Sequence, residues 1–120
     1  MKKSILVVDD DVANLKLATL ILSKGEYEVH GAKSGLDAMN FMKRKKPDLI
    51  LLDIEMPVMS GIKTLEKIRG NKDIADIPVI ILTSSADKDT IVEACSLEVI
   101  DYIRKPFIPT DLLKRVEKAL

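Results

Sequence analysis

Residues 49–61, L-I-L-L-D-I-E-M-P-V-M-S-G, decide the fold of this chain. Four apolar residues run directly into an acid, Asp53, and the turn-forming residues Pro57 and Gly61 follow. An uninterrupted apolar run of this length is typical of a strand that is buried on both faces in a parallel sheet. The pattern therefore predicts Asp53 at the carboxyl end of a buried strand, which is the edge where open α/β sheets bind ligands.

Apolar runs recur at residues 5–8 and 79–82, and weaker strand patterns lie at residues 27–32 and 101–104. Five candidate strands cover residues 5–8, 27–32, 49–52, 79–82 and 101–104. A segment with the apolar spacing of a helix follows each strand, and the fourth and fifth helices are predicted over residues 87–97 and 109–120. This alternation predicts an α/β fold, a doubly wound five-stranded parallel sheet with five helices. The 120 residues, 47% of them hydrophobic, are expected to form a single domain over residues 1–120.

Charge and cysteine content narrow the classes of function. Basic and acidic residues balance at 19 each, and the densest basic run, residues 43–46, is expected to be the solvated end of a helix rather than a nucleic-acid-binding surface. The single cysteine, Cys95, excludes an internal disulfide and is expected to be buried or half-buried in the fourth helix. The opening apolar run is too short for a signal peptide, and no stretch is long enough to span a bilayer. The sequence therefore favours a soluble cytoplasmic protein without a membrane or nucleic-acid partner.

Four of the five strands are followed by side chains that suit a ligand site. They are Asp9 and Asp10, Asp53, Thr83 and Ser84, and Lys105. Each has a simpler interpretation, because such acids and hydroxyls often cap helices and lysines are usually solvated. Their convergence on one edge of the sheet favours a shared site over unrelated caps.

A metal ion would balance this site. Each pair of carboxylates about 5 Å apart repels by roughly 3 kcal/mol at an effective dielectric constant of about 20. A divalent cation removes that repulsion, and ligands that are all oxygen favour Mg²⁺ over zinc. With Asp9, Asp10 and Asp53 ionised, Lys105 protonated and Mg²⁺ bound, the pocket carries no net charge.

Phosphoryl transfer is the chemistry that such a site favours. A carboxylate beside Mg²⁺ and an ammonium group can attack a phosphoryl group, because the cations neutralise the charge that develops on its oxygens. Thr83 can donate a hydrogen bond to a phosphoryl oxygen, and the small Ser84 leaves room for one. Phosphorylation would change the charge of Asp53 from −1 to about −2, enough to draw a loop toward the site.

Four motifs in this order resemble the receiver domain of bacterial two-component response regulators. They are I-L-V-V-D-D-D at residues 5–11, the stretch at residues 49–61, P-V-I-I-L-T-S at residues 78–84 and D-Y-I-R-K-P-F at residues 101–107. The resemblance implies the flavodoxin-like, receiver-type topology of a chemotaxis regulator. It also implies that Asp53 accepts a phosphoryl group from a sensor histidine kinase in phosphorelay signal transduction, and that the domain catalyses only its own phosphorylation and slow dephosphorylation.

The resemblance also assigns the metal ligands. Asp10, Asp53 and the backbone carbonyl of Glu55 would bind Mg²⁺ directly, and Asp9 would act largely through water. Lys105 would pair with the phosphoryl group, and the peptide bond between Lys105 and its successor, Pro106, would be cis.

Further residues match positions of the family's switch. Thr83 and Tyr102 would form the switch pair and change the surface of the fourth helix, fifth strand and fifth helix. Glu55, Ser84 and Ser85 would tune the lifetime of the phosphoaspartate.

The resemblance leaves the output open. The chain is expected to be either a stand-alone receiver that acts on a downstream protein target or part of a longer regulator with an attached output domain. A homodimer formed on phosphorylation is a further partner that the family allows.

Three other functions compete with this one. An aspartate-based phosphatase or ATPase would use Glu55, two residues after Asp53, as a general acid, but the short chain leaves no room for a cap domain. A flavin-binding domain would have to place a phosphate beside three aspartates, which repel it. A degenerate receiver would act only as an interaction module, although every expected site residue is present.

One position departs from the family pattern. A small Gly-Ala pair usually ends the fourth helix, and Glu98 and Val99 stand there in this chain. A glutamate with positive φ is strained by roughly 1 kcal/mol. We therefore expect Glu98 to have a negative φ. Gly25, in contrast, is expected to end the first helix with a positive φ.

Overall fold

Strands and helices alternate along the chain in this computed structural model, which describes residues 2–56, 59–84 and 88–120, with the backbone alone for 88–90. The strands are β1 (Ser4–Val8), β2 (Glu28–Ala32), β3 (Leu49–Asp53), β4 (Val79–Thr83) and β5 (Asp101–Arg104). The helices are α1 (Val12–Ser23), α2 (Gly35–Met42), α3 (Gly61–Arg69), α4 (Lys88–Ser96) and α5 (Pro109–Ala119). The predicted strands and helices are therefore present, and the ends that the sequence predicted differ from the observed ends by at most one residue.

All five strands form one parallel sheet in the order β2-β1-β3-β4-β5. Every residue of β1, β3 and β4 is buried, which explains their continuous apolar runs. β2 and β5 lie at the edges and are partly exposed. The predicted doubly wound parallel sheet is confirmed.

Two hydrophobic cores cover the two faces of the sheet. One contains buried side chains of α2, α3 and α4, and the other contains buried side chains of α1 and α5. Successive residues of β3 alternate between them, with Ile50 and Leu52 in the first and Leu49 and Leu51 in the second. The central strands are therefore buried along their whole length between the two cores.

Polar caps start the helices at the carboxyl edge of the sheet. Asp11, Ser34 and Ser60 each accept a backbone hydrogen bond at the start of α1, α2 and α3, and Pro109 is the first residue of α5. The longest helix of the described chain, α1, has 12 residues. In the part of the chain that the structure covers, no helix has both the length and the hydrophobicity that a membrane span requires.

Two of the expectations for single residues on helices are wrong. Gly25 does not have a positive φ, and the left-handed residue is its neighbour Glu26, with φ 62°. Gly25 instead permits a close approach, because a Cβ there would lie 2.6 Å from the ring of Tyr27. Cys95 is exposed, because the neighbouring Ala94 is the residue of α4 that faces the core.

The prediction for Glu98 is also wrong, since its φ is 63°. The guanidinium group of Arg69 holds this turn by donating to the carbonyls of Leu97 at 2.8 Å and Glu98 at 3.3 Å. It also donates to the carbonyls of Ala75 and Ile77, both at 2.9 Å, and so ties the turn to the loop before β4. These charge-assisted hydrogen bonds offset a backbone strain of about 1 kcal/mol.

Glycine at position 98 should relieve that strain. We expect Glu98→Gly to raise the free energy of unfolding by about 1 kcal/mol, because glycine adopts positive φ without a steric penalty. The matched control is Glu93→Gly inside α4, which should lower it by about 1 kcal/mol. Urea denaturation measures both, and a Glu98→Gly variant that is destabilised as much as the control would contradict the strained turn.

Candidate functional site

Parallel pairing brings the ends of β1 and β3 side by side. Val8 lies opposite Leu52, so the next residues, Asp9 and Asp53, are neighbours at the carboxyl edge. The backbone N–H of Asp9 also donates to the carbonyl of Ala32 at 3.0 Å, which fixes the end of β1 against β2. Both carboxylates are buried, with exposed fractions of 0% for Asp9 and 1% for Asp53.

β4 and β5 bring a hydroxyl and an ammonium group to the same edge. Asp53 lies opposite Leu82, and the next residue, Thr83, is fully buried. Thr83 lies opposite Arg104, and the backbone N–H of Lys105 donates to the carbonyl of Thr83 at 2.8 Å. The four strand ends that the sequence singled out therefore meet.

Lys105 binds both buried carboxylates. Its Nζ lies 2.7 Å from Oδ2 of Asp9 and 3.2 Å from Oδ2 of Asp53. Burial lowers the pKa of Lys105, but the hydrogen bonds and charges of the two aspartates outweigh it, so that the pKa is raised. Lys105 therefore stays protonated at neutral pH and neutralises one of two adjacent negative charges.

The carboxyl group of Asp53 is left in an unfavourable environment for its charge. Burial, with repulsion from Asp9, raises its pKa from 3.8 to about 6. The backbone N–H of Glu55, which donates to Oδ1 of Asp53 at 3.0 Å, and the charge of Lys105 act in the opposite direction. At neutral pH the group is largely a carboxylate whose negative charge is incompletely compensated.

Asp10 completes a group of three carboxylates. One carboxylate oxygen each of Asp9, Asp10 and Asp53 lies within 4.8 Å of the others. Asp10 is exposed, so the group opens to solvent on its side. Three carboxylate oxygens at this separation fit a hard divalent cation such as Mg²⁺, which prefers oxygen ligands and keeps several waters.

A glycine allows α3 to start against the end of β3. A Cβ on Gly61 would lie 2.2 Å from the carbonyl oxygen of Asp53 and 2.4 Å from Cα of Ile54. The backbone N–H of Gly61 donates to the carbonyl of Ile54 at 3.2 Å. Gly61 therefore packs directly against the backbone of the site, where a side chain would not fit.

The side chain of Glu55 forms a hydrogen-bond network that the sequence did not predict. Its Oε1 accepts from the hydroxyl of Thr83 at 3.0 Å and from the backbone N–H of Ser84 at 2.8 Å. The hydroxyl of Ser84 lies 2.9 Å from Oε1 and 2.8 Å from Oε2. One feature of the sequence could have indicated this network. Hydroxyl residues begin at Thr83, the last residue of β4, and an acid, Glu55, follows the end of the neighbouring strand β3 by two positions.

The remaining predicted residues lie nearby or outside the described part of the chain. Tyr102 is on β5, with 40% of its surface exposed, while the next residue, Ile103, is buried. The peptide bond between Lys105 and Pro106 is cis. Ser85, which the sequence placed among the tuning residues, lies outside the described residues.

Comparison with known proteins relates this chain to one family. Residues 5–117 match the response regulator receiver domain. A curated relative, the phosphate regulon transcriptional regulatory protein PhoB of Pseudomonas aeruginosa, is 34% identical over 118 residues, and the match covers 98% of this chain and 52% of that protein. The chain spans about half the length of the curated relatives that it matches first.

Solved structures share the fold. The chemotaxis protein CheY4 of Vibrio cholerae is similar with a TM-score of 0.95 and 27% identity, covering 100% of both chains. The Mn²⁺-bound form of the response regulator Rcp1 is similar with a TM-score of 0.82 and 33% identity, covering 97% of this chain and 90% of that one. The flavodoxin-like, receiver-type topology predicted from the sequence is therefore confirmed.

Removing the charge of Asp53 should stabilise the metal-free protein. Because folding raises this pKa from 3.8 to about 6, the folded state binds more protons than the unfolded state in that window, and stability falls as the pH rises through it. We expect Asp53→Asn to raise the free energy of unfolding by about 1–3 kcal/mol at pH 7, and the gain to vanish below about pH 4.

Urea denaturation in the presence of EDTA, followed across this pH range, measures the effect. Asp37→Asn is the matched control, since Asp37 is an exposed acid on α2, and its effect should not follow the same pH window. An Asp53→Asn variant that is less stable than the wild type at neutral pH would contradict the electrostatic account.

Proposed function

The chain belongs to the response regulator receiver domain family, and we propose that its Asp53 accepts a phosphoryl group from a sensor histidine kinase. The observation that carries this proposal is the position of Asp53. Its carboxylate is buried at the carboxyl edge of the sheet, 3.2 Å from the ammonium group of Lys105 and beside two further carboxylates. A nucleophile, a cation and a group of oxygen ligands are thus adjacent.

The transfer proceeds by displacement at phosphorus. A carboxylate oxygen of Asp53 attacks the phosphorus of a phosphohistidine, a P–O bond forms and the P–N bond breaks, and the electron pair of that bond goes to the imidazole nitrogen. Lys105 neutralises the negative charge that develops on the phosphoryl oxygens. The transfer changes the charge at position 53 from −1 to about −2.

Mg²⁺ is the cofactor that we propose for this site. Asp10, Asp53 and the backbone carbonyl of Glu55 would bind the ion directly, and Asp9 would act largely through water. When bound, Mg²⁺ supplies positive charge that draws the anionic phosphoryl group toward the carboxylate. The three clustered carboxylates support this choice, and a related protein, Rcp1, has been solved in a Mn²⁺-bound form.

Thr83 and Tyr102 are the proposed switch pair. Thr83 follows the residue opposite Asp53 in the sheet, and its hydroxyl would move to a phosphoryl oxygen. Tyr102, now 40% exposed, would turn into the space that this movement vacates. The surface of α4, β5 and α5 would then change between two existing arrangements. Glu55, Ser84 and Ser85 are the proposed tuning residues for the lifetime of the phosphoaspartate.

The receiver would be one part of a signalling pathway. We propose that residues 1–120 form a single receiver domain, located in the cytoplasm, that catalyses only its own phosphorylation and slow dephosphorylation. Its output would be a downstream protein target or an attached output domain, and the relatives that this chain half covers support the second arrangement. A homodimer formed on phosphorylation is a further proposed assembly, and neither nucleic acid nor a membrane is a proposed direct partner.

The phosphatase alternative is weaker. That mechanism needs Glu55 as a proton donor, but the Glu55 carboxylate binds Thr83 and Ser84 by hydrogen bonds. It would have to give up these contacts to serve a leaving group.

Acetyl phosphate tests the assignment of the acceptor. With Mg²⁺ present, the wild type should gain one phosphoryl group, seen as a mass adduct on the intact protein, and Asp53→Asn should gain none because it lacks the attacking oxygen. Asp37→Asn should be modified like the wild type, since Asp37 lies on the exposed surface of α2. An adduct that persists in Asp53→Asn would sink the assignment, and sustained turnover of unrelated phosphoesters would favour the phosphatase.

Mg²⁺ should also stabilise the folded protein. Binding to the folded state alone at ten times the dissociation constant contributes about 1.4 kcal/mol, which raises the melting temperature by about 5 °C in a domain of this size. Asp10→Asn should reduce the shift, because it removes one proposed ligand. Thermal unfolding with and without millimolar Mg²⁺ measures it, and an unchanged wild-type melting temperature would count against the metal site.

A further inference from the structure

The carboxylate of Glu55 joins the loop after β3 to the end of β4. Within the described part of the chain, three donors converge on it: the hydroxyl of Thr83, the backbone N–H of Ser84 and the hydroxyl of Ser84, at distances between 2.8 and 3.0 Å. We propose that Glu55 is a latch, a positioning residue that holds Thr83 and Ser84 in their arrangement before phosphorylation and opposes the change to the active state. This inference rests on the proposed role of Asp53.

Glu55 and a phosphoryl group on Asp53 would compete for the single hydrogen atom of the Thr83 hydroxyl. An ionised carboxylate only accepts hydrogen bonds, so the contact between Thr83 and Glu55 uses the one hydrogen of the Thr83 hydroxyl. The same hydrogen cannot also be donated to a phosphoryl oxygen on Asp53. Thr83 must therefore leave Glu55 before it can bind the phosphoryl group.

Electrostatic forces couple the release of Thr83 from Glu55 to the phosphorylation of Asp53. The backbone N–H of Glu55 donates to Oδ1 of Asp53 at 3.0 Å, so the latch residue is attached directly to the acceptor. Phosphorylation adds about one negative charge there and provides strong acceptor oxygens. The added charge repels the Glu55 carboxylate and attracts the Thr83 hydroxyl, and both effects open the latch.

Ser84 connects the site to the segment that leads to α4. Its backbone N–H and its hydroxyl are both bound to Glu55, and Ser84 is the first residue after β4 on the way to α4. Losing Glu55 as a partner would remove these particular hydrogen bonds from both Ser84 and Thr83. Glu55 thus sets the energy difference between the arrangements of Thr83 and Ser84 before and after phosphorylation. This role is separate from any effect of Glu55 on the lifetime of the phosphoaspartate.

Two substitutions separate the latch from a simple charge effect. Glu55→Gln keeps the length of the side chain and removes its charge, whereas Glu55→Asp keeps the charge but is one methylene too short to hold both residues. Both variants should be phosphorylated by acetyl phosphate and Mg²⁺ about tenfold faster than the wild type, the effect of losing one charge-assisted hydrogen bond. The matched control, Glu66→Gln on the exposed surface of α3, should react at the wild-type rate.

The amide resonance of Ser84 reports the latch directly. It should shift in unphosphorylated Glu55→Asp and Glu55→Gln, and phosphorylation of the wild type should shift it in the same direction. A wild type that is phosphorylated while its Ser84 amide stays unchanged would overturn the proposal, as would a Glu55→Asp variant that reacts no faster than the wild type. A wild type that forms no adduct would instead overturn the proposed function, and this inference with it.

Discussion

Two buried carboxylates share one ammonium group at the carboxyl edge of the sheet. Lys105 contacts both Asp9 and Asp53, yet it can neutralise only one of their charges. The excess negative charge is retained in a poorly solvated place, which is why the pKa of Asp53 is raised. The proposed chemistry of the site follows from this imbalance, because a bound divalent cation would reduce the net negative charge and an added phosphoryl group would increase it.

The fold creates this imbalance by restricting where charge can be placed. The three central strands are buried along their whole length between two apolar layers, so that charged side chains can follow them only at their ends. Parallel pairing then sets these ends side by side. Asp53, which would be solvated in an isolated strand, therefore lies next to a second acid, Asp9.

Sequence reasoning succeeded where one local pattern determines the outcome. The apolar runs that end in Asp9 and Asp53, together with the short fifth strand before Lys105, were sufficient to predict the sheet and the convergence of these side chains. It failed where distant residues decide the local structure. Glu98 adopts a positive φ in a turn whose carbonyls are bound by Arg69, 29 positions earlier in the chain, and local sequence does not indicate this contact.

The network around Glu55 shows a second limit of sequence reasoning. Its members are 28 and 29 positions apart, and spacing alone does not indicate which hydroxyl an acid will contact. The exposure of Cys95 reflects a third limit, since the sequence of this short helix does not decide which of two neighbouring small residues faces the core, and Ala94 is the one that is buried.

Arg69 restrains the carboxyl end of α4. Its guanidinium group fastens the carboxyl end of this helix to the loop before β4 through the carbonyls of Leu97 and Ile77. Because the carboxyl end of α4 is held at Leu97, we expect any displacement of the helix on phosphorylation of Asp53 to be smaller at this end than at its amino end.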